Sequence, residues 1–498
     1  MDEELPLPKV TPWLAREADD LCARRLRGDY LGEPSTVDPV NRGRVRDAFI
    51  DALRTWSETG VRPDAPAFLE PEERAVVEHA LRWYPVLFPE LESETIDVVV
   101  DGPTELPRRQ VRLGGWIDLC ITSSDGAHEL RLLAFGAPSF PDSPLDLPAA
   151  RLAILRLAQM RWVDHEPIQV AWADLLYGVV RTAIVRVPDD LEPLGAWLDE
   201  RLAAIDARIA TPDATPGRGC TTCGHVPRCP AHGVRGSMTT RKGDLLPGML
   251  TITPTALEAW HRCPREWRNR VLLSLPPSDP EGGTSHGLYL HSMLRLVHEQ
   301  GSCHDDRHVA DVLARHGGDA RAASEVARHA ARCPADATSL GNEVEWVRAS
   351  PEPPVFMASA RLDAVWLRDD AVEVRDYKTG ARHYEAVRDD PRARLQAWVA
   401  APRAQAEGRP LRVRYEHVAA EIADDPDVWE PDDDDLAQVE AELRATVAEM
   451  RAEREFKGVH DQMICRSCRY RSICPDSATP SEPSWPAVVS EPVSQPVA

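Results

Sequence analysis

The stretch that decides the fold is RLDAVWLRDDAVEVRDYKTG, residues 361–380, in which two alternating apolar runs flank the polar tetrapeptide RDDA. Alternation with a period of two is typical of β-strands, and a short polar break between two such runs predicts a hairpin that turns between Asp369 and Asp370. Counting outward from this turn places Asp363 opposite Asp376, with the two Cβ atoms roughly 5 Å apart.

Two carboxylates at that separation repel each other, and a divalent cation between them removes the repulsion. Lys378 follows Asp376 by two residues, so it projects from the same face of the strand. Lys378 is also one of only four lysines in the chain. The pattern therefore predicts that Asp363, Asp376 and Lys378 converge on one cation site, although a solvated charged hairpin has the same local sequence features.

A helix precedes this hairpin in GLYLHSMLRLVHEQG, residues 287–301, where Leu290, Met293, Leu294 and Val297 recur at helical spacing. His291 lies at the edge of that apolar stripe. A neutral imidazole is a suitable third ligand beside two carboxylates.

The chain also contains an internal repeat. Five segments of the first half correspond in order to segments of the second half, at an offset of 241 to 245 residues, and the last of them is the spacing C-x2-C-x5-C. We predict a first domain at residues 1–230, a linker at 231–248, a second domain at 249–475 and a disordered Pro- and Ser-rich tail at 476–498.

Each half has four cysteines at corresponding positions. They are Cys22, Cys220, Cys223 and Cys229 in the first half, and Cys263, Cys465, Cys468 and Cys474 in the second. Four thiolates complete the coordination shell of zinc or of an iron–sulfur cluster. The isolated distant ligand favours iron–sulfur in the second half, whereas the first half leaves 4Fe–4S and Zn²⁺ open. Cys120, Cys303 and Cys333 lie outside both sets, and we expect ordinary thiols there.

Composition narrows the class of protein. The chain has 498 residues, 43% of them apolar, and a formal net charge of −23. It has no apolar run of eighteen residues and an acidic N-terminus, so we expect a cytoplasmic protein without membrane contact. The negative charge argues against general binding of polyanions but permits a local basic track. No G-x4-G-K-[ST] motif is present, so a helicase motor would be a separate partner.

The histidine helix, the acidic hairpin and the four cysteines of the second half, in their order along the chain, resemble the RecB-type nucleases of the PD-(D/E)xK superfamily. The resemblance is greatest to the branch with an iron–sulfur staple, which includes AddB-type subunits and CRISPR-associated exonucleases. The resemblance covers roughly residues 253–475. It implies an α/β fold of two tandem restriction-endonuclease-like domains, each a mixed sheet flanked by helices and closed by a four-cysteine cluster.

The resemblance also implies roles for residues. Mg²⁺ or Mn²⁺ would be bound by His291, Asp363, Asp376 and the Tyr377 carbonyl, Lys378 would position the attacking water, and Gln396 would be the glutamine of the following helix. Cys263, Cys465, Cys468 and Cys474 would hold a 4Fe–4S cluster. An upstream glutamate is common in the family, and Glu343 and Glu345 both qualify. Ala360 stands where glycine is usual, and the tyrosine expected after Gln396 is missing.

Arginines and aromatic residues near the second cysteine set predict a nucleic-acid surface that includes Arg265, Arg268, Arg469 and Tyr470. The first half keeps Asp118, but Leu132 and Ala134 stand at the positions of Asp376 and Lys378, and Asp47 at that of His291. We therefore expect a degenerate first domain and a metal-dependent deoxyribonuclease in the second, acting on single strands or DNA ends in repair, recombination or defence. The alternatives are a non-catalytic DNA-binding or assembly protein and a redox sensor.

Overall fold

A computed structural model describes most of the chain, in eighteen segments. The described residues are 7–17, 22–33, 43–89, 95–97, 103–115, 117–123, 126–160, 167–187, 189–210, 213–226, 229–232, 246, 248–279, 284–334, 337–350, 352–379, 386–418 and 427–486.

The first half combines helices with one long sheet and one short sheet. Its helices are α1 (Pro12–Glu17), α2 (Ala23–Leu31), α3 (Arg44–Thr59), α4 (Pro71–Leu87), α5 (Pro148–Gln159) and α6 (Leu191–Ile209). Its strands are β1 (Lys9–Val10), β2 (Thr95–Asp97), β3 (Thr104–Leu106), β4 (Val111–Leu113), β5 (Leu119–Thr122), β6 (His128–Ala134), β7 (Ile168–Asp174) and β8 (Val179–Val185).

The second half has one larger mixed sheet. Its strands are β9 (Leu250–Ile252), β10 (Thr338–Ala349), β11 (Phe356–Leu367), β12 (Val372–Lys378), β13 (Leu411–His417) and β14 (Asp427–Trp429). Its helices are α7 (Pro254–Arg262), α8 (Pro264–Trp267), α9 (Thr284–Gln300), α10 (Asp306–Arg315), α11 (Ala320–Ala330), α12 (Pro391–Ala406), α13 (Asp433–Ala452) and α14 (Gln462–Ser467).

The main sheets of the two halves share one strand order and one pattern of pairing. The first runs β2-β5-β6-β7-β8 and the second β10-β11-β12-β13-β14, with β9 added beside β11. In both, the third and fourth strands pair in parallel and the other neighbours pair antiparallel. The α/β class and the mixed sheets flanked by helices are therefore as predicted.

The decisive hairpin forms in the predicted register. Ala364 pairs with Arg375 and Leu367 with Val372, and the Arg368 N–H donates to the Ala371 carbonyl across the turn. Continuing that register places Asp363 opposite Asp376. β11 is a central strand and is buried over most of its length, because α12 covers one face, where Phe356 packs against Trp398 with ring centroids 5.6 Å apart.

The two halves contact each other through a buried polar contact and a small apolar core. Glu72 on α4 is fully buried and accepts hydrogen bonds from Arg265 at 2.6 Å and from Asn269 at 3.1 Å. The adjoining core contains residues of both halves, namely Val76, Leu176, Leu273, Leu275, Tyr470, Ile473 and Trp485.

The predicted tail is ordered over its first residues. The indole N–H of Trp485 donates to the Pro277 carbonyl at 3.0 Å, and its ring lies 5.1 Å from that of His79. The burial of Trp485 thus holds residues near it against the fold, although the composition of residues 476–498 predicts disorder. Residues 487–498 of the predicted tail, and 233–245 and 247 of the predicted linker, lie outside the described residues.

Candidate active site

Three side chains meet where α9 crosses the sheet. The ligand atoms of His291, Glu343 and Asp363 all lie within 4.8 Å of one another. His291 Nδ1 is 3.3 Å from Asp363 Oδ1 and 3.4 Å from Glu343 Oε1, and its Nε2 is 3.0 Å from the Tyr377 carbonyl oxygen. One nitrogen of the imidazole thus faces two carboxylates and the other nitrogen faces a carbonyl oxygen, and a nitrogen beside two carboxylates suits a divalent cation.

The glutamate in this group is Glu343, and sequence spacing alone left Glu343 and Glu345 equivalent. The pleat of β10 is disturbed by a bulge between Ser339 and Gly341, and Glu343 has a positive φ of 52°. Glu345 instead accepts a hydrogen bond from the Ser359 hydroxyl at 2.5 Å. The left-handed conformation at Glu343 is unfavourable for a non-glycine residue, and such conformations cluster at functional sites.

Strand β12 contributes a second group of polar side chains. Asp376 Oδ2 lies 2.5 Å from Lys378 Nζ, and Asp376 Oδ1 accepts a hydrogen bond from Gln396 Nε2 at 3.0 Å. The Lys378 ammonium also lies 4.0 Å from the centre of the Tyr415 ring. Gln396 Oε1 is buried and has no hydrogen-bond partner among the described residues, so an acceptor is left for a water molecule or a ligand beside Asp376.

The charge of the second group acts on the first. Burial, and then the charge of Asp376, raise the pKa of Asp363 to about 6. Although burial opposes it, hydrogen bonding to Asp363 and Glu343 raises the pKa of His291 to about 10. At neutral pH the protonated imidazole is thus a fixed cation between two carboxylates, at the point where the donor set would bind a metal ion.

The second cysteine set lines one cavity. Cys263, Cys465, Cys468 and Cys474 border it together, and all are free thiols. The Ala478 N–H donates to Cys465 Sγ at 3.4 Å, and burial raises the pKa of Cys468 to about 12 and that of Cys474 to about 11. Buried thiols aimed into one cavity, with a backbone donor on one sulfur, fit ligation of a metal centre.

The first set repeats these features. The Thr215 N–H donates to Cys22 Sγ at 3.4 Å, and burial raises the pKa of Cys220 to about 11. Neither set belongs to the groups of described side chains whose ligand atoms lie within 4.8 Å. Four thiolates in each set can complete the coordination shell of Zn²⁺ or of an iron–sulfur cluster.

Three of the four residues of the predicted nucleic-acid surface are buried or paired with acidic side chains. Arg265 is paired with Glu72, and Arg268 with Glu70 at 2.9 Å. Tyr470 is 2% exposed and donates its hydroxyl to the Leu275 carbonyl. Arg265 and Arg268 thus join the two halves through ion pairs, and Tyr470 packs in the core between them. Arg469 is half-buried, with its guanidinium 5.9 Å from the Tyr470 ring.

The corresponding position in the first half is closed by an arginine. The Leu133 N–H donates to Asp118 Oδ2 at 2.8 Å, as the Tyr377 N–H donates to Asp363 Oδ2 at 2.7 Å. The other Asp118 oxygen is paired with the Arg46 guanidinium. The sequence alone showed that the second aspartate and the lysine are absent from the first half. It did not show that Arg46, which precedes Asp47 on α3, pairs with Asp118.

A second ligand group was missed entirely. His298, Cys303, His329 and Cys333 have ligand atoms within 4.8 Å of one another, although the two cysteines were expected to be ordinary thiols. The spacings H-x4-C and H-x3-C were the available signal.

Comparison with known proteins gives a family match over the second half. Residues 251–475 match the family model described as the PD-(D/E)XK nuclease superfamily. A solved structure described as "Crystal structure of SSO0001" aligns with 47% of this chain and 88% of its own, at 16% identity and a TM-score of 0.23. A search of curated proteins gives no match. In the described part of the chain, no helix is long and apolar enough to cross a membrane.

Proposed function

We propose that the second half is a metal-dependent deoxyribonuclease that hydrolyses phosphodiester bonds of single-stranded DNA or DNA ends. The observation that carries the proposal is the convergence of His291, Glu343 and Asp363 beside Asp376 and Lys378. The superfamily match over residues 251–475 supports the same chemistry.

Each side chain has a proposed role that follows from its position. Asp363, Asp376, His291 and the Tyr377 carbonyl bind Mg²⁺ or Mn²⁺, with Glu343 as an additional acidic ligand. The bound ion supplies Lewis-acid stabilisation of the phosphate and lowers the pKa of a bound water. Lys378, which lies beside Asp376, would position the attacking water and stabilise the developing negative charge, and the unpartnered Oε1 of Gln396 would accept a hydrogen bond from that water.

The remaining features support a RecB-type assignment with an iron–sulfur staple. Cys263 precedes β10 to β14 and the other three cysteines follow these strands, so a 4Fe–4S cluster would close the ends of the domain and add folding free energy. The shared strand order of the two sheets supports a tandem duplication with a degenerate first half. The first cysteine set would then hold a second 4Fe–4S cluster or Zn²⁺.

The partner that we propose is DNA, with Arg469 the remaining candidate contact of the predicted surface. A helicase subunit, if one acts with this chain, is a separate protein. The proposed compartment is the cytoplasm, where free thiols stay reduced, and the proposed context is DNA repair, recombination or defence.

The chain offers a matched pair of lysines for the decisive experiment. Lys378→Ala removes the amine beside Asp376, whereas Lys457→Ala removes an amine that is 81% exposed and paired with Glu455. Protein purified without oxygen is incubated with labelled single-stranded DNA and Mn²⁺. We expect Lys378→Ala to abolish degradation and Lys457→Ala to leave it unchanged, with equal iron content in both.

Parallel reactions on open and end-blocked strands separate exonuclease from endonuclease action. Activity that survives Lys378→Ala would contradict the proposed site. If the wild-type protein binds DNA but does not cleave it with Mg²⁺ or with Mn²⁺, a non-catalytic assembly protein becomes the better hypothesis.

A further inference from the structure

A separate group of metal-ligating side chains lies behind the candidate active site. His298 belongs to the last turns of α9, Cys303 precedes α10, His329 lies near the end of α11, and Cys333 follows it. Cys303 is 3% exposed and His329 is fully buried, while the other two are half-buried. Two chain segments, residues 298–303 and 329–333, therefore bring two imidazoles and two thiols to one point in the interior.

The distances within this group match those of a tetrahedral site. His298 Nε2 is 3.1 Å from His329 Nε2 and 3.6 Å from Cys333 Sγ, and all four ligand atoms lie within 4.8 Å of one another. Zinc at ~2.0 Å from nitrogen and ~2.3 Å from sulfur requires ligand atoms ~3.3 to ~3.8 Å apart. The two separations measured from His298 Nε2 are close to these values.

One histidine is already oriented for ligation. His329 Nδ1 is 2.8 Å from Glu416 Oε1, and the other oxygen of Glu416 accepts a hydrogen bond from Arg375 at 2.9 Å. A carboxylate on one imidazole nitrogen directs the lone pair of the other nitrogen outward, and this arrangement is typical of metal-bound histidine. Here the lone pair of His329 Nε2 points at His298 and the two cysteines.

The charges also favour a divalent ion. Two thiolates and two neutral imidazoles neutralise Zn²⁺, so the interior gains no net charge. The Glu416 carboxylate is compensated by Arg375, which is buried as well. Soft sulfur with imidazole selects zinc over the Mg²⁺ or Mn²⁺ proposed for the active site, where the ligands are mostly oxygen.

We propose that His298, Cys303, His329 and Cys333 form a structural binding site for one Zn²⁺, distinct from both four-cysteine sets. The site would tie α9, α10 and α11 together and hold them against β12, because the His329 ring lies 5.1 Å from the ring of Tyr377. Tyr377 stands between Asp376 and Lys378, and His291 lies seven residues before His298 on α9. The ion thereby braces the helix and the strand that carry the candidate active site.

Metal content of the intact chain tests the site without reference to nuclease activity. The double variant Cys303→Ala/Cys333→Ala is compared with Cys120→Ala, which removes a buried cysteine outside the group. Protein is expressed with added Zn²⁺ and analysed for zinc and iron per chain. We expect the double variant to lose one zinc per chain relative to wild type and Cys120→Ala to lose none, with iron unchanged in all three.

The difference in zinc isolates this site even if the first cysteine set also binds zinc. Equal zinc in the wild type and the double variant would overturn the proposal, as would a disulfide between Cys303 and Cys333 found by mass spectrometry of the anaerobically purified wild type.

A second measurement covers the case in which the double variant does not fold. Wild-type protein stripped of zinc by a chelator is titrated with Co²⁺, whose visible spectrum reports tetrahedral coordination by thiolate and imidazole. We expect one such Co²⁺ per chain, displaced by Zn²⁺, and its spectrum altered by the single change Cys333→Ala. Absence of thiolate-bound cobalt at wild-type Cys303 and Cys333 would refute the site.

Discussion

Asp118 and Asp363 stand at corresponding places in two sheets of the same topology, and both accept a backbone N–H from the following strand. Their other oxygens face different partners. Arg46 closes the first site with a guanidinium, which never releases its proton under ordinary conditions. His291 occupies the second, with an imidazole that can lose its proton and become a ligand.

The two sheets thus place an equivalent aspartate beside different cations. The cation of the first half keeps its charge, whereas that of the second half can lose its proton and give way to a metal ion. In the first half the Arg46 guanidinium pairs with the Asp118 carboxylate and keeps its charge, and Leu132 and Ala134 add no further charge. In the second half the cation is titratable, and Asp376, Lys378 and Gln396 surround it with further groups. The nuclease that we propose depends on this difference.

The largest effect should come from imposing the first-half residues on the second. The double variant Asp376→Leu/Lys378→Ala removes one ligand and the amine that would stabilise the transition state, so we expect cleavage of single-stranded DNA to fall by at least about 10²–10³-fold. Initial rates of DNA degradation in Mn²⁺ measure this loss.

The reciprocal variant Leu132→Asp/Ala134→Lys is the control. It restores the missing side chains in the first half but leaves Arg46 on Asp118, so we expect no activity to appear there when the second site carries Lys378→Ala. Cleavage by that combined variant would show that the arginine does not close the first site.

Much of the second site could be predicted because its residues lie in one hairpin. A strand has a period of two, so the turn at Asp369 and Asp370 is enough to bring Asp363 opposite Asp376 and to place Lys378 on the same face. Glu343 could not be distinguished from Glu345, because the bulge and the left-handed residue in β10 alter the regular alternation.

Features that depend on contacts between distant segments could not be predicted. The burial of Arg265 depends on Glu72, which lies on a helix of the other half. Trp485 is ordered because Pro277 and His79 cover it. The ligand group of His298, Cys303, His329 and Cys333 combines two segments with a short His–Cys spacing each, and neither spacing alone shows that the segments meet.

The contact between the halves should have the next largest effect. Glu72→Gln keeps the size of the side chain but removes the buried charge that faces Arg265 and Asn269, so we expect a loss of about 3 kcal/mol in the free energy of unfolding. Equilibrium unfolding in urea measures it. Glu78→Gln, an exposed change on the same helix, should be close to neutral; equal stability of both variants would mean that the halves do not depend on this ion pair.

A smaller, graded effect is expected from pH. Because hydrogen bonding to carboxylates raises the pKa of His291 to about 10, a metal ion must displace a proton there below that pH. Between about pH 6, where Asp363 is half ionised, and pH 10, affinity for Mn²⁺ should rise up to about tenfold per pH unit, or about 1.4 kcal/mol. Calorimetry in buffers of different ionisation enthalpy would detect the released proton.

In the metal-free protein the sign is opposite. A raised pKa means that the folded state holds the proton more tightly, so the stability contributed by His291 is complete below pH 6.5 and is lost as the pH rises through about 10. His291→Gln should remove both trends. A Mn²⁺ affinity that stays constant from pH 6 to pH 9 would argue that His291 is not a ligand.

The smallest effect on cleavage is expected from Asp118→Asn, the change that best defines the role of the first half. If Arg46 has replaced the metal ion there, Asp118 has no chemistry left to perform, and its loss should change the rate of DNA degradation by less than about twofold. The cost should appear in folding instead, at about 1–3 kcal/mol, since the half-buried guanidinium of Arg46 loses its charged partner. The matched change Asp363→Asn should abolish cleavage. An equal loss of cleavage from both substitutions, with Asp118→Asn as stable as the wild type in urea, would contradict this division between the halves. The site that Arg46 occupies would then also take part in the reaction.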